Sequence, residues 1–221
     1  MRIPAWLLLA GLALPGLGFG AVAETVSGRL AAANGVAWTY AYDAELRDDR
    51  VWVRLGIQLI PAKDVTVPEL ARVKPGWEAA IEAAWSGRFA LESPAGQLYP
   101  IWVDVDLRGP TFHHTVVVRP GRGRTDQLDW HLLDGPELVA HEAGHALGAF
   151  DEYPGGSLAT ADGVIDPASL MTSDPGPGCT PRARHYEKVR AWAEGSAGAQ
   201  GWSVVPWVGS AAQDTERVAR Q

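Results

Sequence analysis

The sequence is poor in cysteine, in positive charge and in long apolar runs, and each shortage removes a class of protein. Cys179 is the single cysteine in 221 residues, which excludes an internal disulfide framework and any metal site built from several thiolates. Lys and Arg number 19 against 26 Asp and Glu, a formal net charge of −7. A chain this acidic is a poor match for phosphate backbones or anionic lipid surfaces, so nucleic acid and membrane surfaces are not expected partners. Beyond residue 19 no apolar run approaches the roughly 20 residues needed to span a bilayer. No internal repeat is present. What the chain does have is a 47% apolar, 20% charged composition, ordinary for a globular core, and ten tryptophans. Its length suggests one domain with at most an appendage.

The first residues read as an export signal. Arg2 supplies a positive charge, Ala5 to Phe19 are almost wholly apolar, and Ala21-Val22-Ala23 places small residues where a signal peptidase cuts, before Glu24. No cysteine follows to carry a lipid. The expected organisation is a signal peptide over 1–23, a folded domain over 24–195 and a C-terminal tail over 196–221, with a secreted or periplasmic destination. An exported protein without disulfides must draw its stability from packing or from bound metal.

Residues 36–60 alternate as a hairpin: Val36, Trp38, Tyr40 and Tyr42 on one arm, Val51, Val53, Leu55, Ile57 and Leu59 on the other, with Arg47-Asp48-Asp49 between. Pro75-Gly76 opens a short helix on which Trp77, Ile81, Ala84 and Trp85 form one apolar stripe, ended by Gly87. Strands follow at 98–107 and 112–118, with a short one within 126–132. The next helix has Asp134 as a candidate N-cap, Pro136 in the first turn and Glu137 three residues after the cap, and it ends at Gly148. Residues 151–181 are rich in Gly, Pro, Asp and Ser and should be irregular, and a final helix begins at Thr180-Pro181 with Tyr186, Val189 and Ala193 on one side. Gly195 to Gly201 reads as a linker, and Trp202 and Trp207 beyond it fall in no readable pattern.

The chemistry concentrates in residues 141–153, His-Glu-Ala-Gly-His-Ala-Leu-Gly-Ala-Phe-Asp-Glu-Tyr. His141 and His145 are four apart on a helix, so their imidazoles project from one side and can grip one ion. Glu142, beside the first ligand, can reach a water on the metal without ligating it. Gly148 permits a sharp turn that brings an acid back as third ligand, either Asp151 or its neighbour Glu152. Two nitrogens and one carboxylate oxygen leave a coordination position open, the arrangement of a catalytic zinc.

This segment resembles the zinc signature of the metzincin clan of metallopeptidases, in the aspartate variant of the snapalysin type. The resemblance covers about a dozen residues closely and the rest only in the order of elements. It implies Asp151 as the third ligand of Zn2+, beside His141 and His145, and Glu142 as general base in hydrolysis of a polypeptide substrate. It also implies a methionine turn at Ser169-Leu170-Met171, and an α+β fold with a twisted, mostly parallel sheet, a zinc helix and a C-terminal helix. The strand at 112–118 would form the upper rim of the cleft. Where many members carry a tyrosine two positions after the methionine this chain has Ser173, so Tyr153, His185 and Tyr186 become the substitutes to test. The acid not used as ligand could orient a ligand histidine.

Several features have plainer readings. The tryptophans suit core packing better than a sugar-binding platform. Asp104 and Asp106 suit a solvated strand face better than a calcium site, His113 and His114 alternate along a strand, and Cys179 reads as a free surface thiol. Two other functions remain open on sequence alone: an exported carbohydrate- or wall-binding module braced by metal, and a zinc hydrolase of a non-peptide amide.

Overall fold

The computed structural model describes residues 23–209. The expected signal peptide lies outside the described residues except for Ala23, as does the C-terminal segment from residue 210. The chain forms an α+β fold around a curled mixed sheet. Its elements are β1 (Glu24–Ala31), β2 (Ala37–Arg47), β3 (Arg50–Pro61), α1 (Val67–Trp85), β4 (Phe89–Glu92), β5 (Leu98–Asp106), β6 (His114–Arg119), β7 (Asp129–His131), α2 (Pro136–Ala146), a 3-10 turn (Ala183–Tyr186), α3 (Glu187–Ala197) and β8 (Ser203–Pro206).

The hairpin of β2 and β3 closes through Asp48 and Asp49, both at positive φ (54° and 56°), the backbone that matches the twist of a two-residue turn. Alternation then decides which residues enter the core. Val51, Val53 and Leu55 face inward, while Trp52 lies on the outer face beside Trp102 of β5, with Arg47 and Arg50 over the two rings. Trp38, Trp77, Trp85, Trp130 and Trp202 are buried, as packing roles require.

The sheet runs β1-β2-β3-β5-β4-β8, with β6 on β3 and β7 on β6. It is not mostly parallel. β1–β2, β2–β3, β4–β5 and β4–β8 pair antiparallel, and only β3–β5, β3–β6 and β6–β7 pair parallel. Short connections force β1–β2, β2–β3 and β4–β5 antiparallel, β8 joins β4 from the far end of the chain, and the crossover through α1 brings β5 back parallel to β3. Val117 and Val118 of β6 pair with β3 on one side and β7 on the other, so the strand expected as an open rim is flanked there.

Two helix starts differ from expectation. α1 begins eight residues before Pro75, because Thr66 and Glu69 form a reciprocal capping box and Pro75 is accommodated within the helix. α2 has Gly135, not Asp134, as its N-cap; Asp134 instead accepts from the His131 amide and the Thr125 hydroxyl, closing the preceding turn. Residues 151–181 contain no helix or strand, only an isolated bridge between Ser169 and Thr180. The fold continues past residue 195: β8 adds a strand to β4, and Trp202 packs against Tyr99.

Candidate metal centre

α2 lies against α1, and Trp85 of α1 donates its indole N–H to the Ala140 carbonyl, fixing the helix that carries both histidines. The His141 and His145 rings are 5.1 Å apart, and both are buried. Each donates through Nδ1: His141 to the Leu170 carbonyl at 2.9 Å, His145 to the Ala149 carbonyl at 3.0 Å. A carbonyl oxygen only accepts, so each Nδ1 carries a proton, and Nε2 is the ring nitrogen left to face Asp151.

Gly148, at φ 96°, turns the chain back after α2 and brings Asp151 to the same point. Asp151 Oδ1 lies 3.4 Å from both His141 Nε2 and His145 Nε2, and the three candidate ligand atoms fall within 4.8 Å of one another. Two ligands bound to zinc at about 2.0–2.1 Å in tetrahedral geometry are about 3.4 Å apart, so the spacing suits such an ion. The other carboxylate oxygen accepts from the Ser157 amide at 2.6 Å, while the buried Oδ1 has no hydrogen-bond partner. Burial raises the Asp151 pKa, but the adjoining His141 and His145 rings outweigh it and hold the carboxyl well below its ordinary range. The three buried groups converge closely enough that they could hold a metal ion.

Glu142 is 5% exposed, its Oε2 has no hydrogen-bond partner, and burial pushes its pKa up to about 7. Met171 is fully buried beneath α2, and a Cβ on Gly144 would come within 2.5 Å of its sulfur. The methionine thus occupies the space that a glycine between the two histidines leaves.

Glu152 does not compete for the ion. Its carboxylate is taken by Arg184, with Nη2 at 2.7 Å, and by His185 Nε2 at 2.9 Å, neither of them a candidate ligand. Of the three substitutes for the missing tyrosine, His185 is thereby occupied and Tyr186 is buried with its hydroxyl donating to the Trp85 carbonyl. Tyr153 is half-buried; burial and the neighbouring Asp151 and Glu142 carboxylates push its phenol up to about 12.

Several supporting residues carry no sequence signal. Trp38 of β2 donates its indole N–H to the His145 carbonyl and packs edge-on against the His145 ring. The tip of the β1–β2 hairpin reaches the metal loop through Ala33 N to Leu158 O and Asn34 Nδ2 to Gly156 O. These contacts join positions more than 100 residues apart, which no local pattern encodes. His113 and His114 brace the sheet: His113 accepts from the Gly56 amide and pairs with Asp43, and His114 meets the Ala41 backbone. Asp104 pairs with Arg54, Asp106 accepts from the Arg108 and Gly109 amides, and Cys179 is a free, partly exposed thiol. No family model matches the chain, and neither a curated protein nor a solved structure matches it.

Proposed function

We propose that the chain is an exported zinc-dependent endopeptidase of metzincin type. The observation that carries the proposal is the convergence of His141, His145 and Asp151 on one point, with the buried, incompletely paired Glu142 carboxylate next to the first of them. Met171 under the helix and the element order of strands, metal helix, turn and final helix support the same reading. Export rests on the N-terminal leader; among the described residues no helix is long and apolar enough to cross a membrane.

His141, His145 and Asp151 would hold the ion. Bound zinc supplies Lewis acidity, polarising the scissile carbonyl and acidifying water. The chain's own residues do the rest. The Leu170 and Ala149 carbonyls hold both imidazoles by Nδ1 and so present Nε2 as the ligand atom. Glu142, buried beside the first ligand with one oxygen unpaired, can take a proton from the attacking water and return it to the departing amine. Tyr153 faces the same carboxylates with a phenol that stays protonated, and so can donate a hydrogen bond to developing negative charge.

The test is metal analysis of the purified protein with casein hydrolysis before and after chelation. About one zinc per chain, activity lost with the metal, and inactivity of a zinc-loaded Glu142→Gln protein are expected. Hydrolysis that survives complete metal removal overturns the proposal.

A further inference from the structure

A second charged cluster, outside the three ligand side chains, joins the metal loop to the start of the C-terminal helix. Glu152 is 4% exposed, and its carboxylate accepts from Nε and Nη2 of Arg184 and from His185 Nε2. His185 Nδ1 accepts from the Arg182 amide, so the ring's single proton sits on Nε2, where it faces Glu152. Arg184 also reaches Asp166 at 3.0 Å, and Asp166 takes two further bonds from Arg182. Two acids and two arginines thus pair, with Glu152 buried and Arg184 partly open to solvent. Glu142 and Asp151, by contrast, each keep a buried oxygen without a partner.

The backbone connects this cluster to the ligands. The Glu152 amide donates to the Met171 carbonyl at 2.8 Å, and the Glu152 carbonyl accepts from the Asp166 amide at 3.0 Å. Residue 151 is the third ligand candidate, and residue 170, adjoining Met171, supplies the carbonyl that orients His141. One residue, its side chain held by Arg184 and His185, therefore ties the carboxylate ligand to the segment that orients a histidine ligand. Residues 151–171 have no helix or strand to do so.

We propose that Arg184, with Asp166, is a positioning residue for the metal centre: through Glu152 it sets the affinity and geometry of the site from 33 positions beyond Asp151. Removing the guanidinium takes away the cation that balances a buried carboxylate and leaves it the His185 and Ser169 hydrogen bonds alone, so Glu152 is drawn towards water. That movement draws Asp151 out of line and loosens the Leu170 carbonyl. The inference rests on the metal-site reading and needs no particular substrate.

Zinc affinity by chelator competition, and the visible spectrum of the cobalt-loaded protein, should be measured for the purified native protein and for Arg184→Ala, Arg184→Lys, Asp166→Asn and Val103→Ala. Arg184→Ala is expected to weaken zinc binding about 10–100-fold and to change the cobalt spectrum. Arg184→Lys should recover part of the affinity and Asp166→Asn should lose less. Val103→Ala, a core truncation in β5, should lower the melting temperature with zinc affinity and spectrum intact. Native affinity and spectrum in both Arg184→Ala and Asp166→Asn overturn the inference while leaving the metal site standing. If Arg184→Ala does not fold, Asp166→Asn and Arg184→Lys decide alone. A native protein that binds neither metal overturns the metal reading and this inference with it.

Discussion

Glu142 is a carboxylate in a place that disfavours its charge, and that has a measurable pH signature. Its pKa in the fold is about 7 against an ordinary 4.5, so between those values the folded state holds a proton that the unfolded chain has released. Stability of the metal-free protein therefore falls as pH rises from about 4.5 to 7 and levels off above. The shift corresponds to about 3 kcal/mol. Glu142→Gln should stabilise the metal-free protein by up to that amount at pH 8 and by under about 1 kcal/mol at pH 5. Urea unfolding at the two pH values tests this, and equal stabilities at pH 8 would sink it. Gly144 offers a second test. Its Cβ would meet the Met171 sulfur at 2.5 Å and the Trp85 ring at 2.7 Å, so Gly144→Ala should cost about 1–3 kcal/mol in thermal unfolding and weaken metal binding.

At the scale of elements, the β2–β3 turn holds two aspartates in left-handed backbone, a conformation that Asn and Gly adopt more readily. Asp48→Asn combined with Asp49→Gly should raise stability by about 1 kcal/mol, read from the urea midpoint. The loss of the exposed Arg47–Asp48 contact at 3.7 Å subtracts little from that gain. This hairpin was legible in the sequence because alternation and turn residues are local. So was α2, since two histidines, a glycine and an acid at fixed spacing state where a helix must stop and turn. The start of α1 was obscured by Pro75, although Thr66 and Glu69 mark it, because a proline usually outweighs a cap. The sheet's strand directions were not legible, because they depend on which strands meet across long connections. Asp151 and Glu152 are adjacent acids in sequence. Only Arg184 and His185, more than 30 residues on, separate their roles.

For the whole molecule, the balance of stability turns on two contributions that bring in distant parts of the chain. Trp202 is 4% exposed and lies just before β8, so Trp202→Ala should cost about 3–5 kcal/mol, testing whether the end of the chain belongs to the fold. Metal is the second. With no disulfide to hold residues 151–171, an ion bound only by the folded form would add about 4 kcal/mol at a free concentration 1,000 times its Kd. For a domain of this size that is a rise of roughly 8–16 °C in melting temperature, to be compared by calorimetry with and without chelator. A melting temperature indifferent to chelation would argue against a structural contribution from the site.

The contact between Trp38 and His145 has a temporal meaning as well. The ligands come from the middle of the chain, one brace from near its beginning and another from Arg184 and His185 far downstream. A ribosome releases these pieces in sequence, and the centre gains its full set of braces only when the last of them has emerged. Full metal affinity therefore arrives only when synthesis is nearly over.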